Sequence, residues 1–311
     1  MGYGWFLTGE PMDYRRIQHF LAAVRHGNLT EAAATLEISQ PALSKSINAL
    51  EKSIGARLLE RGRFGVRPTP YGEALLARGN VIEAELRNAQ SEIDAMKGAK
   101  RGHVLLGCGP TEANRLLPQA ISRLNRSHPE LRITVLYGLN EALMPWVKQG
   151  EVDFALSSVP MQGNEPDLAH ERLFTESGVV VARVGHPLAK KRSLSMLELA
   201  RYPWVLPRRR EMERRALDDL FVAHGLDLPE AAIETTSTVL MKSMLMQSDF
   251  LTFLPRELIY WELEAGQLTT LPLSGPSWSR AVGITRRARG SLNVASRVLI
   301  DALKEEARKF G

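Results

Sequence analysis

The sequence predicts two unlike parts: a small helical N-terminal domain carrying a β-wing, joined by one long helix to an α/β domain. Three observations predict this. Apolar residues recur at helical spacing from Ile17 to Ile54, with a cap or a glycine at each break. The basic stretch "ARLLERGRFGVRPTP" then holds two short strand-like pieces. From Gly102 onward, short apolar runs alternate with amphipathic helices.

Ile17, Phe20, Leu21 and Val24 follow i, i+3, i+4, i+7 and make the first helix, which Gly27-Asn28 stops. Thr30 is the N-cap candidate for "EAAATLEI", whose alanines let two helices approach closely. Ser39 caps the next helix, and Pro41 falls in its first turn, where no backbone donor is lost. Leu43, Ile47, Leu50 and Ile54 are expected to form the buried stripe, and Gly55 ends it. Two strands flank Arg63-Phe64-Gly65 as a wing. Thr69 caps a long helix running to about Lys97. Along it Leu75, Gly79, Ile82, Leu86, Ala89, Ile93 and Met96 form a heptad seam, which favours a helix–helix dimer. The alternative is a surface helix of a larger domain, and the polar faces fit both.

Gly98 and Gly102 bracket a basic hinge, "GAKRG". Beyond it "HVLLGC", "RITVLYG", "VDFALSS", "SGVVVAR", "AIETT", "FLTFLP", "LTTLPL" and "AVGITRR" read as strands. Helices are expected at "EANRLLPQAISRLNRSHP", at "NEALMPWVKQG", and near 211–224, 237–247 and 292–309. This pattern predicts parallel sheets, in a stretch long enough for two subdomains.

A length of 311 residues fits about two domains. Hydrophobic content of 44% with a mean hydropathy of −0.17 describes a globular chain. The net charge of +5 is compatible with a polyanionic partner. Most of it lies between Asp13 and Pro70, where Lys and Arg outnumber acids. Cys108 is the single cysteine, so no internal disulfide can form, and a reducing cytosol is the expected home. No apolar run approaches the roughly 18 residues that would span a bilayer. The start "MGYGWFLTGEP" lacks the regions of a signal peptide, and residues 1–11 are read as an extension ahead of Met12.

Helix, tight turn, helix and basic wing follow the winged helix-turn-helix plan, in which the second helix lays its first turn in the major groove. Gln40 can pair with adenine, Pro41 and Ala42 can meet a thymine methyl, and Ser44 and Lys45 can reach phosphate or guanine. Composition alone leaves this level with an ordinary three-helix core that has a solvated charged face. Other chemistries are poorly supported. "GCGPTE" fails the dinucleotide pattern at Glu112. The seven histidines form no H-x-x-x-H pair, and no G-x-S-x-G is present, so neither a metal site nor a hydrolase elbow is expected. Cys108 is read as a small core residue. "PRRREMERR" is read as the solvated start of a helix, although cations there are unfavourable unless an anion holds them. "AKKR" at 189–192 is read as surface.

The run "FLAAVRHGNLTEAAATLEISQPALSKSINALEKSIGARLLERGRFGVRPTPYGEALL" resembles the N-terminal domain of LysR-type transcriptional regulators, and the order of elements to about residue 305 agrees. Two departures stand out. Pro68 precedes the capping Thr, where the family usually has an apolar residue, and Gln247-Ser248-Asp249 replaces a Gly-rich turn. The resemblance implies a helix-turn-helix domain at 12–70, a dimerising linker helix at 71–98 and a periplasmic-binding-protein-like effector domain at 99–311. Its first lobe would be about 103–175 plus 276–304, and its second about 176–275. Expected DNA contacts are Thr30, Gln40, Pro41, Ser44, Lys45, Arg61, Arg63 and Thr69. Leu75, Ile82, Leu86, Ala89 and Ile93 would pair two subunits. Effector contacts would come from Gly109, Pro110, Thr111, Ser157, Ser158, Pro207, Arg208, Thr236, Ser237 and Phe250.

The implied function is a bacterial, cytoplasmic, DNA-binding transcriptional regulator without enzyme activity, metal or cofactor. Its partners would be a double-stranded DNA operator, a small organic effector, expected to be an acid, and further copies of itself as homodimer or homotetramer. RNA polymerase is a further candidate partner, and no membrane is involved. Two other classes compete: an α/β enzyme with a helical module, and a carrier or DNA-coating protein. The capped helix with its basic wing argues against the first. A coating protein would not need the α/β half.

Overall fold

Asp13 opens the first helix, α1 (Tyr14–His26), by accepting from the Arg15 backbone N–H at 2.9 Å, and Gly27 closes it at φ +62°. The computed structural model describes residues 12–62, 65–97, 102–160, 165–273 and 278–310. The N-terminal extension, Arg63 and residues 98–101 of the hinge lie outside the described residues. The next helix, α2 (Leu29–Thr35), is capped by Asn28 and not by Thr30. Asn28 Oδ1 accepts from the Thr30 N–H at 2.8 Å, so Thr30 already sits in the first turn. Ser39 caps α3 (Gln40–Ile54) by accepting from the Ala42 N–H at 3.3 Å, and Gly55 ends it in the left-handed region.

Leu43, Ile47 and Leu50 are wholly buried with Phe20 and Leu21, each worth about 1.5–3 kcal/mol of transfer free energy. Ile54 does not join them. It is 36% exposed, because the helix ends there and its last turn overhangs the core. The wing is β1 (Leu59–Gly62) against β2 (Gly65–Pro68), antiparallel, with Leu59 opposite Pro68. Pro68 sits at the margin of the ladder, and the Thr69 N–H takes up the next bond to Leu58 O at 2.9 Å.

Thr69 caps the long helix α4 (Pro70–Met96), accepting from the Gly72 N–H at 3.1 Å. Its faces meet different surroundings. Leu75 packs on the helical core, and a Cβ on Gly79 would meet the Ile17 and Leu21 side chains at 3.0 and 3.1 Å. Asn80, Ala84 and Asn88 are buried one turn apart, and Asn88 Nδ2 donates to Ser291 O in the C-terminal domain at 2.7 Å. Ile82, Leu86, Ile93 and Met96 are exposed at 42%, 49%, 47% and 86%. Ala89 is exposed with them. The heptad therefore splits: its first two positions bind its own domain, and the rest form an open apolar stripe.

The α/β part begins with β3 (Gly102–Cys108), α5 (Pro110–Asn114), α6 (Leu116–Ser127), β4 (Leu131–Tyr137), α7 (Asn140–Gln149) and β5 (Phe154–Val159). The single expected helix over 112–129 is broken at Arg115. The chain then enters β6 (Leu168–Arg183), a 16-residue strand whose first half was not expected. Beyond it come α8 (Met196–Leu199), β7 (Trp204–Leu206), α9 (Met212–Ala223), β8 (Ala231–Glu234), α10 (Thr238–Gln247), β9 (Thr252–Pro255), α11 (Tyr260–Glu264) and β10 (Leu268–Leu271). The chain returns through β11 (Ser279–Arg287) and ends on α12 (Val294–Ala307).

Strands β4, β3 and β5 are parallel, and so are β7 and β8. The expectation of parallel sheets is corrected elsewhere: β11 runs antiparallel to β5 and β6, and β6 antiparallel to β9 and β10. The reason is topological. β6 carries the chain from one lobe to the other and β11 carries it back, so these neighbours must point in opposite directions. Each lobe has its own core. Leu106, Phe154, Leu156, Ile284 and Leu299 centre the first, and Val180, Trp204, Leu217, Phe221 and Phe253 belong to the second.

Candidate functional site

A cleft of about 410 Å³ opens between the two lobes. Residues at the ends of β3 and β5 and the start of α7 form one wall, and α9, α10 and the end of β9 form the other. Seven of the expected effector residues line it: Gly109, Pro110, Thr111, Ser157, Ser158, Pro207 and Thr236. Arg208, Ser237 and Phe250 are not among its lining. Arg208 is exposed, the Ser237 hydroxyl caps α10 by accepting from the Leu240 N–H at 3.3 Å, and Phe250 packs in the second lobe. From the same basic run, Arg210 and Arg215 do reach the cleft. The run is not all solvated: Arg214 is 1% exposed, donating to Asp218 at 2.8 Å and to Pro229 O at 2.7 Å.

The floor of the cleft is an ionic cluster the sequence did not reveal. Arg280, the second residue of β11, donates from Nε to Glu176 Oε1 at 2.6 Å, from Nη1 to Glu213 Oε1 at 2.7 Å and from Nη2 to Thr111 Oγ1 at 2.8 Å. Glu112 Oε1 lies 3.8 Å from the same guanidinium. Burial raises the Glu112 carboxyl above its ordinary value against the pull of Arg280. Burial likewise pushes Glu176 up to about 7. These four charged side chains come from α5, β6, α9 and β11, which no local pattern links. The one available signal was Glu112, which the broken glycine motif had set at the mouth of a strand.

Two further pairs hold the lobes together. At the mouth, Arg210 of the second lobe faces Glu141 of the first at 3.4 Å. Outside the cleft, Arg115 pairs with Glu257 at 2.7 Å and lies 3.6 Å over the Tyr260 ring. Asn140 Nδ2 donates to Ser158 Oγ at 2.8 Å, which fixes the serine edge of the first wall.

At the other end of the molecule, Gln40, Pro41, Ala42 and Lys45 are exposed on one side of α3, opposite the buried Leu43, Ile47 and Leu50. Gln40 Nε2 donates to Ser44 Oγ at 3.1 Å. Arg61 of the wing is exposed and donates to Asn48 Oδ1 at 2.7 Å, and Thr30 is exposed on α2. The Thr69 hydroxyl is committed inward, donating to Arg57 O at 2.7 Å. Cys108 lies in the first lobe's core, where burial drives its thiol pKa upward. Among the described residues no group of His, Cys, Asp and Glu is placed to hold a metal ion, and no helix is long and apolar enough to cross a membrane.

A helix-turn-helix with a wing, joined to two lobes around a ligand-sized cleft, defines a DNA-binding regulator with an effector domain. Residues 14–73 match the bacterial regulatory helix-turn-helix proteins of the lysR family, and residues 97–308 match the LysR substrate binding domain. The chain belongs to the LysR-type transcriptional regulators; it is a DNA-binding transcriptional regulator, not an enzyme. It is 32% identical over 283 residues to an HTH-type transcriptional regulator GalR of Pseudomonas putida, covering 90% of this chain and 71% of that one. It is 31% identical to an SDS degradation transcriptional activation protein of a Pseudomonas species, over 94% of this chain and 96% of that one. In fold it is similar to a full-length OxyR variant from Pseudomonas aeruginosa, with TM-score 0.72, 22% identity and coverage of 96% and 95%. It is also similar to CbnR, a LysR family regulator, with TM-score 0.67, 18% identity and coverage of 95% and 99%.

Proposed function

We propose that this regulator reads a double-stranded operator with α3 and the wing, and that a small organic effector bound between the lobes of residues 99–311 controls it. One observation carries the reading: the cleft takes its two walls from different lobes, so a molecule filling it favours one arrangement of the lobes over another. A ligand resets an equilibrium only by such a difference in affinity, and tenfold corresponds to about 1.4 kcal/mol. Thr111, Ser157, Ser158, Pro207 and Thr236 are the proposed contacts. Gln40, Pro41, Ser44, Lys45 and Arg61 are the proposed DNA contacts, supported by the exposure of Gln40, Pro41 and Lys45 on α3 and of Arg61 on the wing, with Ser44 half-buried beside them. Residues 12–70 act as the DNA-binding domain and 71–98 as the linker. The open stripe Ile82, Leu86, Ala89, Ile93 joins two copies, as a homodimer or within a homotetramer acting in the cytoplasm, where RNA polymerase is a further partner.

The organic acid expected from the sequence has some support. Arg210 and Arg215 rim the cleft, and the N-termini of α7 and α10 open onto it. The carboxylates of the floor argue the other way. Operator footprinting with the full chain, with and without a panel of small molecules, tests the reading. The expected result is a footprint altered by a ligand in the wild type and unaltered in Thr236→Trp, which fills the cleft from its exposed side. A ligand response that persists in that variant would move the effector site elsewhere.

A further inference from the structure

The unmet hydrogen-bonding capacity of the cleft lies on the acceptor side. Glu112 lines the cleft at 2% exposure, and its Oε1 receives no hydrogen bond among the described residues. Glu211 Oε1, on the opposite wall, is in the same condition, and so is Glu176 Oε2 behind Arg280. Leaving a buried acceptor unmet is costly, so each of these atoms calls for a donor. The deepest cation cannot call for an anion in the same way. Arg280 already donates from Nε, Nη1 and Nη2 to Glu176, Glu213 and Thr111 and has Glu112 3.8 Å away, so an anion would share its two remaining N–H groups with carboxyls already gathered round it. Arg210, at the mouth, faces Glu141 and Glu211. Among the described residues, Glu112, Glu141, Glu211, Glu213 and Asp219 line the cleft against three arginines. An anion entering it would meet more carboxyl groups than cations.

We infer that the effector of this cleft is a molecule without negative charge that presents hydrogen-bond donors, hydroxyl or ammonium, to Glu112 and the carboxylates around it. The inference rests on the reading of the cleft as the effector site. The same lining gives the ligand an apolar side: Met241, Leu254, Leu258 and Trp278 face the cavity, so a carbon skeleton is covered while its donor head reaches the floor. Burial, more than any partner, holds the Glu112 and Glu176 carboxyls above their ordinary values. A donor brought to Glu112 lowers its pKa again, so binding releases protons wherever that carboxyl is still protonated in the free chain.

Isothermal calorimetry on the full chain with four probes of small size tests this. Phenethylamine, 2-phenylethanol and D-glucose offer ammonium or hydroxyl donors, and phenylacetate offers a carboxylate on a like skeleton. The expected result is that at least one donor probe binds about tenfold or more tightly than phenylacetate. Which donor probe binds tells ammonium from hydroxyl. Titration in buffers of different ionisation enthalpy should show protons released. Glu112→Gln should weaken the donor probe about tenfold or more. Glu213→Gln, on the better exposed side of the cluster, serves if that variant fails to fold. Tighter binding of phenylacetate, no binding by any donor probe, or donor binding unchanged in both glutamine variants overturns the inference. Thr236→Trp keeps the two readings apart. If phenylacetate is the tighter ligand and that variant abolishes its binding, the donor class is rejected and the cleft is kept as the site. Unchanged binding of any probe would reject the cleft itself.

Discussion

Arg280 stands directly opposite Glu176 across the β6–β11 ladder, with Nε 2.6 Å from Oε1, at the point where β6 leaves one lobe for the other. The same guanidinium reaches Glu213 on the second lobe and Thr111 on the first. One side chain therefore neutralises carboxylates from both sides of the hinge. Replacing Arg280 with Met would leave Glu112, Glu176 and Glu213 facing one another in a buried site. Removing one partner of a buried pair costs about 3–5 kcal/mol. Urea unfolding at neutral pH should show a loss of that order in Arg280→Met, and the deficit should shrink in acid as the carboxylates protonate. An unchanged midpoint would mean that water or rearrangement already screens the cluster.

The same carboxyl predicts a pH dependence whose sign is opposite to the usual acid case. Burial pushes Glu176 up to about 7, above its ordinary 4.5, so the folded chain holds this proton more tightly than the unfolded one. Its contribution is then fully present below about 4.5 and is lost as pH rises through about 7. Unfolding free energies of the wild type and Glu176→Gln should be compared across that window, since other titrating groups largely cancel in the difference. The wild type should lose stability relative to the variant between the two values and run parallel to it above them. A difference that rises with pH would show that Arg280 outweighs burial.

On α3, the physical argument separates grip from reading. Lys45 is exposed with no acid on its own turn, as expected of a phosphate contact. Lys45→Ala should weaken operator binding for all sequences and make the salt slope shallower by about one. Gln40→Ala should instead lose about 1–3 kcal/mol of discrimination at one base pair. Gln40 is bonded to Ser44 in the free chain, and it must exchange that bond for a base edge. Binding measured on operator variants at several salt concentrations distinguishes the two. If both substitutions leave affinity and sequence preference untouched, α3 does not enter the groove.

How much of this was legible in the sequence follows from the range of each interaction. Gly27, Ser39, Gly55 and Thr69 end or cap helices through contacts within a turn, so spacing and residue type revealed them. Thr30 was misplaced because Asn28, two residues earlier, caps the helix by accepting from the Thr30 N–H itself, and the choice depends on backbone geometry. Gly79 read as a seam position because its pairing with Ile17 and Leu21 is tertiary. The cleft walls were partly legible, since strand ends such as Gly109 and Ser157 are found by pattern. Its floor was not. Glu112, Glu176, Glu213 and Arg280 meet only because β6 and β11 cross the hinge in opposite directions, and no local periodicity encodes that crossing.

The split of the α4 heptad makes a prediction in which neighbouring positions of one helix behave differently. Ile82 and Leu86 are 42% and 49% exposed, so a charge there meets water in the single chain and should leave its fold intact. In a dimer the same two positions would face a second copy, and two aspartates would put charge into an apolar seam. Ile82→Asp with Leu86→Asp should therefore abolish dimers in light scattering and weaken operator binding, while the thermal midpoint of each subunit's lobes stays near that of the wild type. Leu75→Asp, one heptad earlier, should do the reverse. Leu75 packs against the core built on Phe20 and Leu43, so a carboxylate there strikes the helical domain itself. Its signature is an early unfolding step of that domain. If the double variant keeps the mass and affinity of the wild type, the exposed stripe is not the seam, and subunits must meet through another face.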